Sequence, residues 1–163
     1  MIIKRNSYSY FQTKKIAFFI TDLIFLPLLI LVSILSRFVP KYKIGIGPMP
    51  IINSSGHKKS LELYGYSAET FVDSLWYTTS RFDIIPPRLF LNTFLRILIP
   101  YFLFVLTTFR YKIIYHYFNG ICLRNTNFLY RIEPYLLKIA GIKSLVMSYG
   151  MDIQDLTLTS NIF

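Results

Sequence analysis

At 163 residues the chain has room for about one domain with a sizeable core, and two independent domains would be cramped. Hydrophobic residues make up 53% and aromatics 18%, with a mean hydropathy of +0.45. That is too apolar for an ordinary soluble domain and too interrupted for a polytopic membrane bundle, which leaves a membrane-attached globular domain. The 18 Lys and Arg against 8 Asp and Glu give a net charge of +10. These basic residues flank apolar segments instead of gathering into one helix or stripe, so they point to membrane lipid as the partner and to no nucleic acid.

Residues 1–15 (MIIKRNSYSYFQTKK) are polar, aromatic and basic without apolar periodicity, and read as a loosely ordered flank. Residues 16–35 (IAFFITDLIFLPLLILVSIL) follow, twenty mostly apolar positions interrupted by Asp22 and Pro27, about the length that crosses a hydrocarbon core as a helix. No small-residue cleavage site follows, which argues against a removable signal peptide. Lys4, Arg5, Lys14 and Lys15 on one side nearly balance Arg37, Lys41 and Lys43 on the other. Charge asymmetry therefore does not orient the segment, and a spanning helix and a kinked helix lying in the interface both stand. A buried core helix is the third reading.

The organising stretch is residues 43–73. A short β-favouring run, 43–46, breaks at Gly45, Gly47, Pro48 and Pro50; a helix follows and stops at Gly65 before a second strand at 69–73. Asn53, Ser54 and Ser55 are placed to accept hydrogen bonds from the first N–H groups of that helix. Residues 74–87 read as a loop, and 88–109 as a second long apolar helix with Arg96 and Pro100 inside it. A third strand at 112–117 ends in a turn at Asn119 and Gly120. Leu129, Ile132, Leu136, Leu137, Ile139 and Ala140 recur at helical spacing, Pro134 kinks this helix or starts its final part, and Gly141 stops it. The fourth strand, 143–148, closes at Gly150 and Asp152.

Strands alternating with helices predict an α/β fold, a Rossmann-like parallel sheet with right-handed crossovers, preceded by an N-terminal hydrophobic membrane-associated helix. The division is 1–40 for the flank and apolar helix and 41–163 for the α/β domain. Strand tips at Gly47, Gly120 and Gly150 then share the edge where open α/β sheets bind ligands. Asp152 after the fourth strand is a candidate ligand contact or a helix N-cap, and His116 is a candidate catalytic group or a hydrogen-bonded core histidine. His57 and His116 are far apart and Cys122 stands alone, so no metal site, intrachain disulfide or cofactor is expected; Cys122 is a small buried hydrophobe.

The segments GIGPMPIIN, GYSAETFVDS, the Asn119–Gly120 turn, EPYLLKIAGIKSLVMSYG and GMDIQD, in this order over residues 42–156, resemble the amino-terminal half of bacterial GT-B glycosyltransferases of the family 4 kind, found in surface-polysaccharide synthesis. The resemblance implies a two-domain enzyme at the cytoplasmic face of the inner membrane, moving sugar from a nucleotide-sugar to a lipid-linked or saccharide acceptor, with this half holding the acceptor. It places Gly45, Gly47, Pro48 and Met49 along the interdomain cleft, and makes His116 and Asn119 the nearest counterparts of the family's donor-sugar contacts. Gly120 belongs to the same turn. Gly150, Met151 and Asp152 stand where the family often has Gly, Ser, Asp, with the hydroxyl lost. The family's two glutamates seven residues apart have no counterpart among Glu62, Glu69 and Glu133, so the isolated chain is expected to be truncated and inactive in transfer alone. The alternatives are a non-catalytic membrane-anchored scaffold for polysaccharide-synthesis enzymes and a two-span membrane protein.

Overall fold

A computed structural model describes residues 3–74, 82–87, 90 and 95–148. Its elements are α1 (Ile3–Ser36), β1 (Lys43–Ile46), α2 (Asn53–Leu63), β2 (Ala68–Thr70), α3 (Ile99–Arg110, entered through a 3-10 turn at Leu95–Leu98), β3 (Tyr111–Tyr117), α4 (Leu129–Ile139) and β4 (Lys143–Met147). The four strands form one wholly parallel sheet in the order β2-β1-β3-β4. The expected α/β architecture with a parallel sheet and one apolar N-terminal helix is therefore present.

The two faces of the sheet are covered differently. Ile114 of β3 lies in the buried core with Leu103 and Phe104 of α3, Leu129, Leu136 and Leu137 of α4, and Leu29 of α1. Its neighbour Tyr115 points to the opposite face, where its ring meets His57 of α2 with centroids 5.7 Å apart. Helices on both faces make the sheet doubly wound. A bulge sets this alternation: Lys43 pairs with Tyr111 and Ile44 with Ile113, so Lys112 has no partner across the ladder and Tyr111 joins Ile114 on the core side.

Several boundaries differ from expectation. The basic flank is no loose segment, because α1 begins at Ile3. The second strand ends at Thr70 instead of running to Asp73; Pro48 on the neighbouring chain has no N–H to donate, so past Ile46 only single bonds remain, from Phe71 N to Ile46 O and from Asp73 N to Pro48 O. Of the expected apolar helix, residues 88, 89 and 91–94 lie outside the described residues. Pro100 sits in the first turn of α3, where a missing N–H costs nothing, and Arg96 sits in the 3-10 turn. Asn53, Ser54 and Ser55 do not cap α2. The chain is already helical at Ile52, and Ser55 Oγ donates back to Ile52 O at 3.0 Å. Gly65 and Gly141 do end their helices, at φ of 82° and 71°. Pro134 lies inside α4.

Phe19–Ser36 within α1 is long and apolar enough to cross a membrane by length and composition. It is also docked. Asp22, Leu29, Ser33 and Ser36 recur on one buried face of α1. Phe25 stacks on Tyr101 of α3 with centroids 4.3 Å apart. Asp22 accepts from the Tyr101 hydroxyl and from the backbone N–H of Asn127 and Phe128, both at 2.9 Å. It supplies the N-terminus of α4 with a cap that Phe128 cannot provide.

Candidate functional site

In the order β2-β1-β3-β4 the connection leaving β1 runs to one side of the sheet and the connection leaving β3 to the other. The connections diverge there, which puts the topological switch point at the carboxyl ends of β1 and β3, the place where such sheets form a crevice and bind ligands. Residues 47–49 and 118–120 form its two lips. Strand pairing continues to Gly47, whose N donates to Tyr115 O of β3 at 3.1 Å, and the lips meet where Asn119 Nδ2 lies 3.1 Å from Met49 Sδ.

Two of the glycines are required by this geometry. A Cβ on Gly47 would fall 2.1 Å from the Phe71 carbonyl oxygen, so only glycine lets β1 approach the end of β2 so closely. Gly120 has φ of 93°, and a Cβ there would lie 2.9 Å from Arg124 Cβ. The third wall comes from the end of β2. Arg124 Nε and Nη2 donate to Asp73 Oδ2 at 3.0 and 2.6 Å, and Asp73 N is held by Pro48 O at 3.2 Å. The turn carrying Arg124 is fixed from behind: the buried Glu133 carboxyl of α4 accepts from Cys122 N at 2.8 Å and Leu123 N at 3.0 Å. Burial pushes the Glu133 carboxyl up to about 8 despite those bonds.

The crevice thus joins an exposed amide (Asn119), a carboxylate neutralised by its guanidinium (Asp73, Arg124), and an apolar lip (Pro48, Met49). Amide and paired charges offer donors and acceptors without net charge, a pattern suited to hydroxyl groups. Among the described residues no group of three His, Cys, Asp or Glu side chains is placed to hold a metal ion.

The expected site residues divide. Gly47, Pro48, Met49, Asn119 and Gly120 come together at the crevice. Gly45 does not reach it: it lies within β1, with the Tyr111 ring 2.5 Å from where its Cβ would stand, and its role is to let that ring pack. His116 is buried beneath the rim, its Nδ1–H donating to Tyr117 O at 2.9 Å, and burial lowers its proton affinity. Burial and this bond match the core-histidine reading, and an Nδ1–H bond to a carbonyl leaves Nε2 as the basic nitrogen. Gly150 and Asp152 lie outside the described residues. Cys122 is buried against Thr107, 3.4 Å from its Oγ1, and burial raises its thiol well above the ordinary range, so it is an unreactive core residue.

Sequence reading missed Asp73, Arg124 and Glu133. Asp73 gave a signal, being the first charge after an apolar strand at its carboxyl end. Arg124 and Glu133 gave none, because their partners are 51 and 10 to 11 residues away in the chain. A separate cavity of about 390 Å³ lies over α2 and β2, lined by Lys58, Lys59, Glu62 and Asp83 among others. It lies on the α2 side of the sheet, and Lys58 Nζ is held there 2.6 Å from Asp83 Oδ1 and 3.7 Å from Glu62 Oε1.

Because the Asp73–Arg124 pair is largely buried, Arg124→Ala is expected to cost about 2 kcal/mol in urea unfolding, between the ranges for exposed and fully buried pairs. Arg124→Lys should recover less than half, since an ammonium cannot donate from two fixed nitrogens. Equal stability of both variants with the parent chain would show the pair to be solvent-screened.

Compared with models of protein families, with curated proteins and with solved structures, the chain matches none. The class that its own geometry defines is a doubly wound parallel α/β domain preceded by an apolar helix.

Proposed function

We propose that the chain is the acceptor-binding amino-terminal half of a membrane-associated glycosyltransferase, working with a donor-binding half that carries the nucleotide-sugar. The observation that carries the reading is the meeting of residues 47–49 with Asn119 at the crevice between β1 and β3. Neutral, hydroxyl-matching chemistry at a switch point suits a saccharide, and the apolar α1 beside the core suits an acceptor borne on lipid. In transfer, the acceptor hydroxyl oxygen bonds to the donor sugar's C1, the C1–oxygen bond breaks with its electron pair leaving on the nucleotide diphosphate, and the hydroxyl proton passes to that diphosphate or to water. The part assigned to this chain is to hold that hydroxyl, with His116 buried beneath the rim and its Nδ1–H on Tyr117 O.

The test is acceptor binding by the full chain in detergent, with a polyprenyl-diphosphate-linked monosaccharide as probe and the same lipid without sugar as control. Saturable binding that needs the sugar, weakened about tenfold by Asn119→Ala through loss of its hydrogen bonds, is the expected result. Binding indifferent to the sugar or to Asn119→Ala would overturn the acceptor role and leave the scaffold reading.

A further inference from the structure

We propose that the side of the domain formed by α1 and α4 is a docking surface for an anionic lipid bilayer, with α1 lying in the plane of the headgroup boundary and not crossing it. The inference rests on the membrane part of the reading above and is independent of its sugar part.

The first observation is that α1 is turned inside out. Its polar residues Asp22, Ser33 and Ser36 face the protein, where the two serines donate back to Leu29 O at 2.7 Å and Ser33 O at 3.0 Å. Its large apolar residues face outward: Leu23, Ile24, Leu28, Leu31, Ile34 and Leu35 are all exposed, continuing into Phe38. A contiguous apolar surface of this size needs a cover.

The second observation fixes the orientation. Asp22, near the start of the apolar stretch, holds the N-terminus of α4; beyond its end, Lys41 Nζ donates to Ala140 O at 2.8 Å and Arg37 to Ile139 O at 3.5 Å, at the C-terminus of α4. The apolar stretch is thus pinned at both ends along the length of α4. A spanning helix would have to break those bonds or carry α4, with Arg131, Glu133 and Lys138, into hydrocarbon.

Charge names the occupant. The only carboxylates in α1 and α4 are Asp22 and Glu133, and both are buried. Arg37, Arg131 and Lys138 are exposed there, and among the described residues none has a carboxylate partner. Glu62, Glu69, Asp73 and Asp83 belong to α2, β2 and the segment after it, and every ion pair among the described residues is made by one of these four. Among the described residues, this side of the molecule is therefore apolar and basic with no exposed acid, and exposed Tyr135 on α4 and Tyr42 next to Lys41 add aromatics of the interfacial kind. A second copy presenting the same positive rim would repel it, whereas an anionic leaflet attracts both rim and apolar face.

The test is co-sedimentation of the full chain with phosphatidylcholine vesicles, with and without phosphatidylglycerol. Anionic vesicles should bind it about tenfold or more tightly than neutral ones, with Arg131→Glu/Lys138→Glu erasing the difference and Lys59→Glu, on α2, leaving it. Leu31→Asp, at an exposed position, should reduce binding to both vesicle types about tenfold or more, and Leu35→Asp serves if that variant misfolds. Alkaline carbonate should release the bound chain. Equal binding to neutral and anionic vesicles, unchanged binding of the aspartate variants, or resistance to carbonate would each overturn the proposal. So would a concentration-dependent dimer abolished by Leu31→Asp in the absence of vesicle binding. Loss of acceptor binding in detergent with vesicle binding intact would sink the sugar reading alone.

Discussion

Asp22→Ala is expected to destabilise the chain by about 4 kcal/mol, a loss on the order of 10 °C in unfolding temperature for a domain of this size. The side chain is fully buried and its two oxygens serve four partners: the Tyr101 hydroxyl, the N–H groups of Asn127 and Phe128, and at 3.5 Å the N–H of Leu129. Removing it leaves those donors without that acceptor, at about 1–3 kcal/mol for each group not rescued by water. It also removes a negative charge from the positive end of α4. Asp22→Asn keeps the shape and one acceptor oxygen, so it should lose about half as much; Tyr101→Phe, which removes one donor, should lose less again. In a double-mutant cycle Asp22→Ala with Tyr101→Phe should cost less than the two single losses added, because the hydroxyl orphaned by the first change is absent in the second. Urea unfolding of the four proteins measures this. Strict additivity would show that the two side chains do not share a bond.

The same residue marks where the sequence was legible and where it was not. The strand and helix order from residue 43 onward was readable, because Gly65 and Gly141 stop helices by adopting positive φ and the apolar spacing of α4 is regular. The tips of β1 and β3 could be placed on one edge from parallel topology alone, which brought Gly47 and Asn119 together before any coordinates. Asp22 could not be placed from the sequence: inside a long apolar run a carboxylate is a cost of insertion, and only the arrival of α4 more than 100 residues later turns it into a cap. The N-terminal flank escaped for a related reason. Helix formation there has no apolar period to announce it, yet α1 continues through it to Ile3. The serines before α2 failed as caps because the chain is already helical at Ile52, a one-residue shift that propensity does not resolve.

These long-range contacts also order the crevice. Asp22 seats the start of α4, and α4 carries Glu133, which fixes residues 122 and 123. Arg124 follows and reaches Asp73 across the crevice. The position of one cleft wall therefore depends on a helix whose other face is apolar and exposed. If α1 lies in a headgroup boundary, the crevice is held at a set distance from the bilayer by bonded contacts, which is the arrangement a lipid-linked acceptor needs.

The pH dependence of stability should carry the signature of Glu133. Burial raises its carboxyl from an ordinary 4.5 to about 8, while the unfolded chain exposes it to water. Below about pH 4.5 both states are protonated and the full contribution is present; as pH rises towards 8 the unfolded chain releases a proton that the folded chain keeps, and stability falls. The total loss from this one group is on the order of 5 kcal/mol across that window. His116 acts in the opposite sense, its affinity lowered by burial, so that it withdraws stability as pH falls through 6.5. Glu69, held down at about 2 first by Arg110 and then by Lys43, loses its contribution only below about pH 4.5. Comparing the parent chain with Glu133→Gln cancels both. The glutamine oxygen can still accept from Cys122 N and Leu123 N, and it cannot ionise. Urea unfolding at pH 5, 6.5 and 8 should therefore show the variant equal to or less stable than the parent at the lowest pH and more stable at the highest, the curves crossing between. Parallel curves would mean that Glu133 is ionised in the folded chain throughout, its charge borne by the 121–123 turn, and that the crevice wall is built on an anion instead of a neutral carboxyl.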